Sequence, residues 1–117
     1  MSDYHEPTEE LSEETRNIVR ALNTLKEEVE AVNWYQQRVD VCKDEGLRRM
    51  LEHHRDEEIE HAVMAIEWLR RNMGFWDEAL KTYLFTKEDI VSIEGNEASS
   101  EESSYKPNSS LNIGKLK

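Results

Sequence analysis

Between residues 9 and 71 the chain has one glycine, Gly46, and no proline, so almost nothing prevents a long helix on either side of that glycine. From about Glu9 to Val41 the apolar positions are Leu11, Ile18, Leu22, Leu25, Val29, Val32 and Val39. Their steps of three, four and seven are the period of an amphipathic helix packing along one seam. Ser12 with Glu14, or Thr8 with Glu9, offers a start signal. Lys43-Asp44-Glu45-Gly46 reads as a compact polar turn. A second helix is expected from about Leu47 to Arg71, stopped by Asn72 and Gly74. So short a turn makes the two helices antiparallel, and the expected fold class is all-α, built on a two-helix hairpin.

The second seam reads Leu47, Leu51, His54, Glu58, His61, Ala65 and Trp68. Three successive positions in its middle are polar where a plain hairpin would use leucine or isoleucine. Burying an unpaired carboxylate is costly, so something must compensate Glu58. Glu58 and His61 stand at i and i+3 and project from one face. In an antiparallel hairpin, residues at one height have numbers summing to a constant, here about 89 for a turn centred between Asp44 and Glu45. Glu28 then lies level with His61, and Glu58 sits within one turn, roughly 5 Å, of them.

One Glu from one helix and a Glu-x-x-His from its neighbour make half the ligand set of a di-iron carboxylate bundle. A two-fold axis through the site doubles it to four glutamates and two histidines. Carboxylates neutralise two ferrous ions as charge builds during oxidation, and an imidazole on each metal tunes its potential. Calcium, manganese, zinc and cobalt are also accepted by such donors. Other residues keep two readings. Glu27, Glu30, Glu57 and Glu60 are either a solvated acidic face or the lining of a cation path. Tyr35, two turns after Glu28, either serves the site as a hydrogen-bond donor or electron acceptor, or packs with its hydroxyl anchored. His54 is a further ligand, a supporting partner or a core histidine. Trp34 and Trp68 read as packing residues.

With 37% hydrophobic and 35% charged residues in 117, one copy buries too little apolar surface to stand alone, and a homo-oligomer is expected. A net charge of −11 speaks against nucleic-acid partners. The longest apolar run, Ala62 to Ile66, is too short to cross a bilayer, so no membrane is expected. Residues 1 to 14 carry six acids and no Lys or Arg, unlike a secretory signal. Cys42 is the single cysteine, which excludes an internal disulfide and fits a reducing, cytoplasmic setting.

Asp77 is expected to cap a short third helix through Leu84, and Thr86 with Asp89 to open another turn or two ending at Gly95. Residues 1–95 would thus form the helical domain. Residues 96–110 include six serines and no large aliphatic, the composition of a flexible linker. The chain closes on Leu111-Asn112-Ile113-Gly114-Lys115-Leu116-Lys117, apolar and basic on an otherwise acidic protein.

Several runs resemble the encapsulated ferritins, ferritin-like proteins housed in encapsulin nanocompartments. They are Glu27-Glu28-Val29-Glu30-Ala31-Val32-Asn33-Trp34-Tyr35, Arg55-Asp56-Glu57-Glu58-Ile59-Glu60-His61, Glu67-Trp68-Leu69-Arg70-Arg71, Thr82-Tyr83-Leu84-Phe85-Thr86 and the final seven residues. The resemblance implies a hairpin with a shorter C-terminal helix that dimerises into a ferritin-like four-helix bundle, the dimers closing into a ring, typically a decamer. It implies a ferroxidase whose catalytic di-iron ligands are Glu28, Glu58 and His61 from both subunits. Glu27, Glu30 and Tyr35 match residues near that centre or its approach, and His53, Glu57 and Glu60 match positions implicated less directly. The final segment resembles a targeting peptide, in which Leu111, Ile113 and Leu116 would enter pockets of the encapsulin shell while Gly114 permits a bend. Two other readings stay open from the residues themselves: a non-enzymatic metal-delivery module, and a structural dimer whose acids are satisfied by Arg38 or Arg55.

Overall fold

The computed structural model describes residues 4–96. The expected targeting segment, and all but the first residue of the expected linker, lie outside the described residues. The chain divides into two compact units, one ending at Asp77 and the other beginning at Glu78. Among the described residues all regular structure is helical.

A short 3-10 turn, Thr8–Glu10, precedes α1, Glu13–Val41. Ser12 caps α1 by accepting from the Thr15 N–H at 3.1 Å, and Glu13 and Glu14 complement the helix dipole in the first turn. Arg16 Nε donates to the Thr8 carbonyl at 3.2 Å and ties the turn to the helix. α2, Glu45–Asn72, begins after only three intervening residues. Its cap is Asp44, which accepts from the Leu47 N–H at 2.8 Å. Gly46 is therefore in the first turn of α2 and not in the connection, because a carboxylate cap fixes a helix start more strongly than a glycine disrupts it.

α1 and α2 pack against each other as the expected hairpin. The pairing register is also as expected: Glu28 approaches His61, Tyr35 meets His54, and both pairs keep one common sum. Gln36 accepts from Arg55 across the hairpin at 2.9 Å. The buried line of α2 is rotated from the expected seam. Ala65 of that seam is buried, but Ala62 and Leu69 are buried beside it while His61 and Trp68 lie on the exposed flank; Val39 is the buried residue of α1. Alanines occupy the line because small side chains let the two backbones approach, and the bulkier Trp68 is pushed aside. No polar residue is fully buried among the described residues, and Glu28 and Glu58 are partly buried.

Leu22, Val29, Ile59 and Val63 remain 39–56% exposed. One protomer thus leaves apolar surface uncovered, as the low hydrophobic content suggested.

α3, Gly74–Tyr83, follows α2 after the single extended residue Met73. It starts three residues before the expected cap, since Asp77 accepts from Arg70 Nη1 at 2.7 Å instead of capping. Arg70 and Arg71 also hold the Glu67 carboxyl down to about 2. Phe85 ends α3 with φ 62, a left-handed conformation usually left to glycine, and its side chain is almost fully exposed. Helical backbone resumes over 90–96 with Asp89 as its cap, accepting from the Ser92 N–H at 3.1 Å, while the Thr86 hydroxyl bonds back to the Tyr83 carbonyl. No described helix is long and apolar enough to cross a membrane.

Candidate metal centre

Glu28 reaches the centre from α1; Glu58 and His61 reach it from one turn of α2. His61 Nδ1 lies 3.4 Å from Glu58 Oε1 and 3.7 Å from Glu28 Oε1. One donor atom from each residue falls within 4.8 Å of the other two, the one such cluster among the described residues. These separations suit a shared ion, because donors bound at roughly 2.0–2.2 Å to one metal stand about 3–3.5 Å apart. A small side-chain contraction is all that binding needs.

The electrostatics agree. Hydrogen bonding with Glu58 raises the Glu28 pKa above the ordinary value, and partial burial and the Glu58 charge push the same way, while His61 opposes them. A second carboxyl this close makes the ionised form of Glu28 costly while no cation is near. A divalent ion at this place would offset that cost. The donor set, two carboxylates and one imidazole, fits iron and its divalent neighbours. Three donors are fewer than an iron ion commonly takes, and the half-exposed His61 leaves the cluster open on one side.

Glu27 and Glu30 are exposed on α1 and do not join the cluster, although the Glu27 charge adds to the upward pressure on Glu28. Tyr35 stands two turns away, its ring edge 5.5 Å from His54 and its face under the Arg38 guanidinium at 5.1 Å. His53 pairs with Glu57 at 3.1 Å on the exposed flank, and Glu60 is exposed. Neither arginine of the purely structural reading reaches the cluster. Arg55 bonds Gln36 and Asp56, and Arg38 covers Tyr35. That clasp of Arg38 and His54 around Tyr35 was not foreseen, though an arginine at i+3 from a tyrosine is the signal for half of it. Leu111, Ile113, Gly114 and Leu116 lie outside the described residues.

Comparison with known proteins agrees with this geometry. The EncFtn-like family model matches residues 3–87. The chain is 64% identical over 95 residues to a ferritin-like protein of Thermotoga maritima, covering 80% of this chain and 83% of the relative. It is 49% identical over 121 residues to an encapsulated ferritin-like protein of Rhodospirillum rubrum, covering 97% of this chain and 86% of that one. The crystal structure of protein ne0167 from Nitrosomonas europaea superposes with a TM-score of 0.73 at 54% identity, over 76% of this chain and 98% of that one. A hairpin of ferritin-like type, with a carboxylate–histidine cluster and relatives this similar along most of its length, belongs to the EncFtn-like family of encapsulated ferritins.

Proposed function

We propose that the protein is a ferroxidase that oxidises Fe(II) to Fe(III) at a di-iron site shared by two copies. The observation that carries this reading is the half-complete cluster: Glu28, Glu58 and His61 meet on one open face, with too few donors for a pair of ions. A second copy related by a two-fold axis supplies the other three, giving four carboxylates and two imidazoles around two irons.

Iron is the substrate. Each ferrous ion gives one electron, dioxygen takes two, and two protons complete hydrogen peroxide. Iron entry favours the ionised form of Glu28, and the Glu28 and Glu58 carboxylates offset the charge that builds when ferrous becomes ferric. His61, a neutral donor, leaves the total charge low enough for ferric product to depart. Glu27 and Glu30, exposed beside the cluster, draw cations toward it. Tyr35 belongs to the supporting layer.

The homodimers close into a ring, a decamer by family resemblance. Leu111, Ile113, Gly114 and Leu116 dock the assembly in an encapsulin shell within the cytoplasm, where ferric iron is stored. The relative named as encapsulated and the apolar, basic final segment support this. Anaerobic addition of Fe(II) followed by air tests the activity. A fast ultraviolet absorbance rise is expected in the native protein and its loss in Glu28→Ala and His61→Ala. An unchanged rate in either variant overturns the ligand set.

A further inference from the structure

Tyr35 is clasped on two sides. The Arg38 guanidinium carbon lies 5.1 Å from its ring centroid, and His54 meets its edge at 5.5 Å with the planes 87° apart. Tyr35 and His54 share the register of Glu28 and His61, about 10 Å nearer the hairpin turn. Helical side chains lean toward the N-terminus of their own helix, so half-buried Tyr35 leans back toward Glu28. Among the described residues Arg38 pairs with no carboxylate, although the chain carries 26 of them; its charge is left for the ring.

A cation over an aromatic face is attracted to the negative face of the electron-rich ring. Removing an electron from the ring weakens that attraction, so the cation favours the reduced phenol. We propose that Arg38 is a positioning residue that protects Tyr35 from one-electron oxidation while iron is oxidised beside it, with His54 fixing the ring so that the charge stays over its face. This rests on the ferroxidase reading.

The hazard is specific. When a single ferrous ion passes one electron to dioxygen, protonation gives a hydroperoxyl radical. That radical can take the hydrogen atom of the Tyr35 hydroxyl: one O–H bond breaks, another forms, and the products are hydrogen peroxide and a tyrosyl radical. Two irons acting together deliver two electrons and avoid this step. A single ion, held while the pair is incomplete, does not.

The test uses the uncharged azidyl radical, generated by pulse radiolysis in iron-free protein. It takes one electron from tyrosine, becoming azide, and the phenolic proton passes to solvent. Tyr35 oxidation is scored by mass spectrometry in the native chain, in Arg38→Leu, which keeps cover over the ring without charge, and in Arg38→Lys, which keeps the charge. Arg38→Leu should raise Tyr35 oxidation about two- to five-fold, with Arg38→Lys at the native level. Equal oxidation in Arg38→Leu and the native chain, or Arg38→Lys matching Arg38→Leu, overturns the proposal. In a second arm, iron and air should give a tyrosyl radical signal in electron paramagnetic resonance for Arg38→Leu, absent in Arg38→Leu with Tyr35→Phe. A native chain that oxidises no iron would refute the ferroxidase reading, and the azidyl arm would still decide the role of Arg38.

Discussion

His61 Nδ1 lies 3.7 Å from Glu28 Oε1 across the hairpin, although 32 residues of chain separate them. That contact fixes the register of the hairpin and the position of the candidate site together. A slip of one residue in either helix would rotate one donor away by about 100°.

The apo site should make stability depend on pH in a particular direction. Glu28 has a raised pKa in the fold, so its contribution is full below the ordinary value of 4.5 and is lost as pH rises through the folded value. Glu67 acts oppositely: its pKa is lowered to about 2, so its contribution is present above 4.5 and lost as pH falls toward 2. Thermal unfolding in chelator should show Glu28→Gln losing less stability than the native chain between pH 4.5 and 7. Parallel curves for the two would contradict a raised Glu28 pKa.

Metal binding should release protons, because an ion favours the ionised form of Glu28, whose pKa is raised in its absence. Calorimetry of Mn(II) or anaerobic Fe(II) in buffers of different ionisation enthalpy should reveal that release. It should shrink in Glu28→Gln, whose affinity should fall at least about 100-fold, beyond the loss typical of outer partners. Buffer-independent binding heats would count against the assignment.

Leu69 of α2 is fully buried, so Leu69→Ala should cost about 2–5 kcal/mol in denaturant unfolding. Asp44→Ala removes the cap of α2 and should cost about 1 kcal/mol. Neither change touches a metal donor, and iron oxidation per folded chain should persist in both. A loss below a few tenths of a kcal/mol for Leu69→Ala would mean that the core lies elsewhere.

Deleting residues 111–117 should abolish co-purification with an encapsulin shell protein and leave iron oxidation intact. Co-purification that survives the deletion would remove the docking role from this segment.

Much of this architecture was legible because helical period and hairpin register are strict. Seven-residue steps in α1 set its inward face, and the turn sets which residues stand level, which places Glu28 beside His61. Periodicity was weaker on which of two adjacent faces of α2 turns inward. It favoured Ala65 and bulky Trp68, whereas close backbone approach selected Ala65 with Ala62. Asp44 outranked Gly46 as a boundary signal because a cap satisfies a free N–H, while a glycine merely tolerates a bend. Asp77 misled for a tertiary reason: its pair with Arg70 draws it into the joint between α2 and α3. The His54 half of the clasp around Tyr35 is a side-chain contact across two helices, which no local pattern encodes.

The central claim is that two copies complete one site, and an iron-loaded crystal structure with anomalous scattering at the iron edge tests it most directly. The account predicts two iron peaks astride a two-fold axis, bound by Glu28, Glu58 and His61 from both chains. Iron elsewhere, or Glu58 and His61 facing solvent far from any second copy, would contradict it.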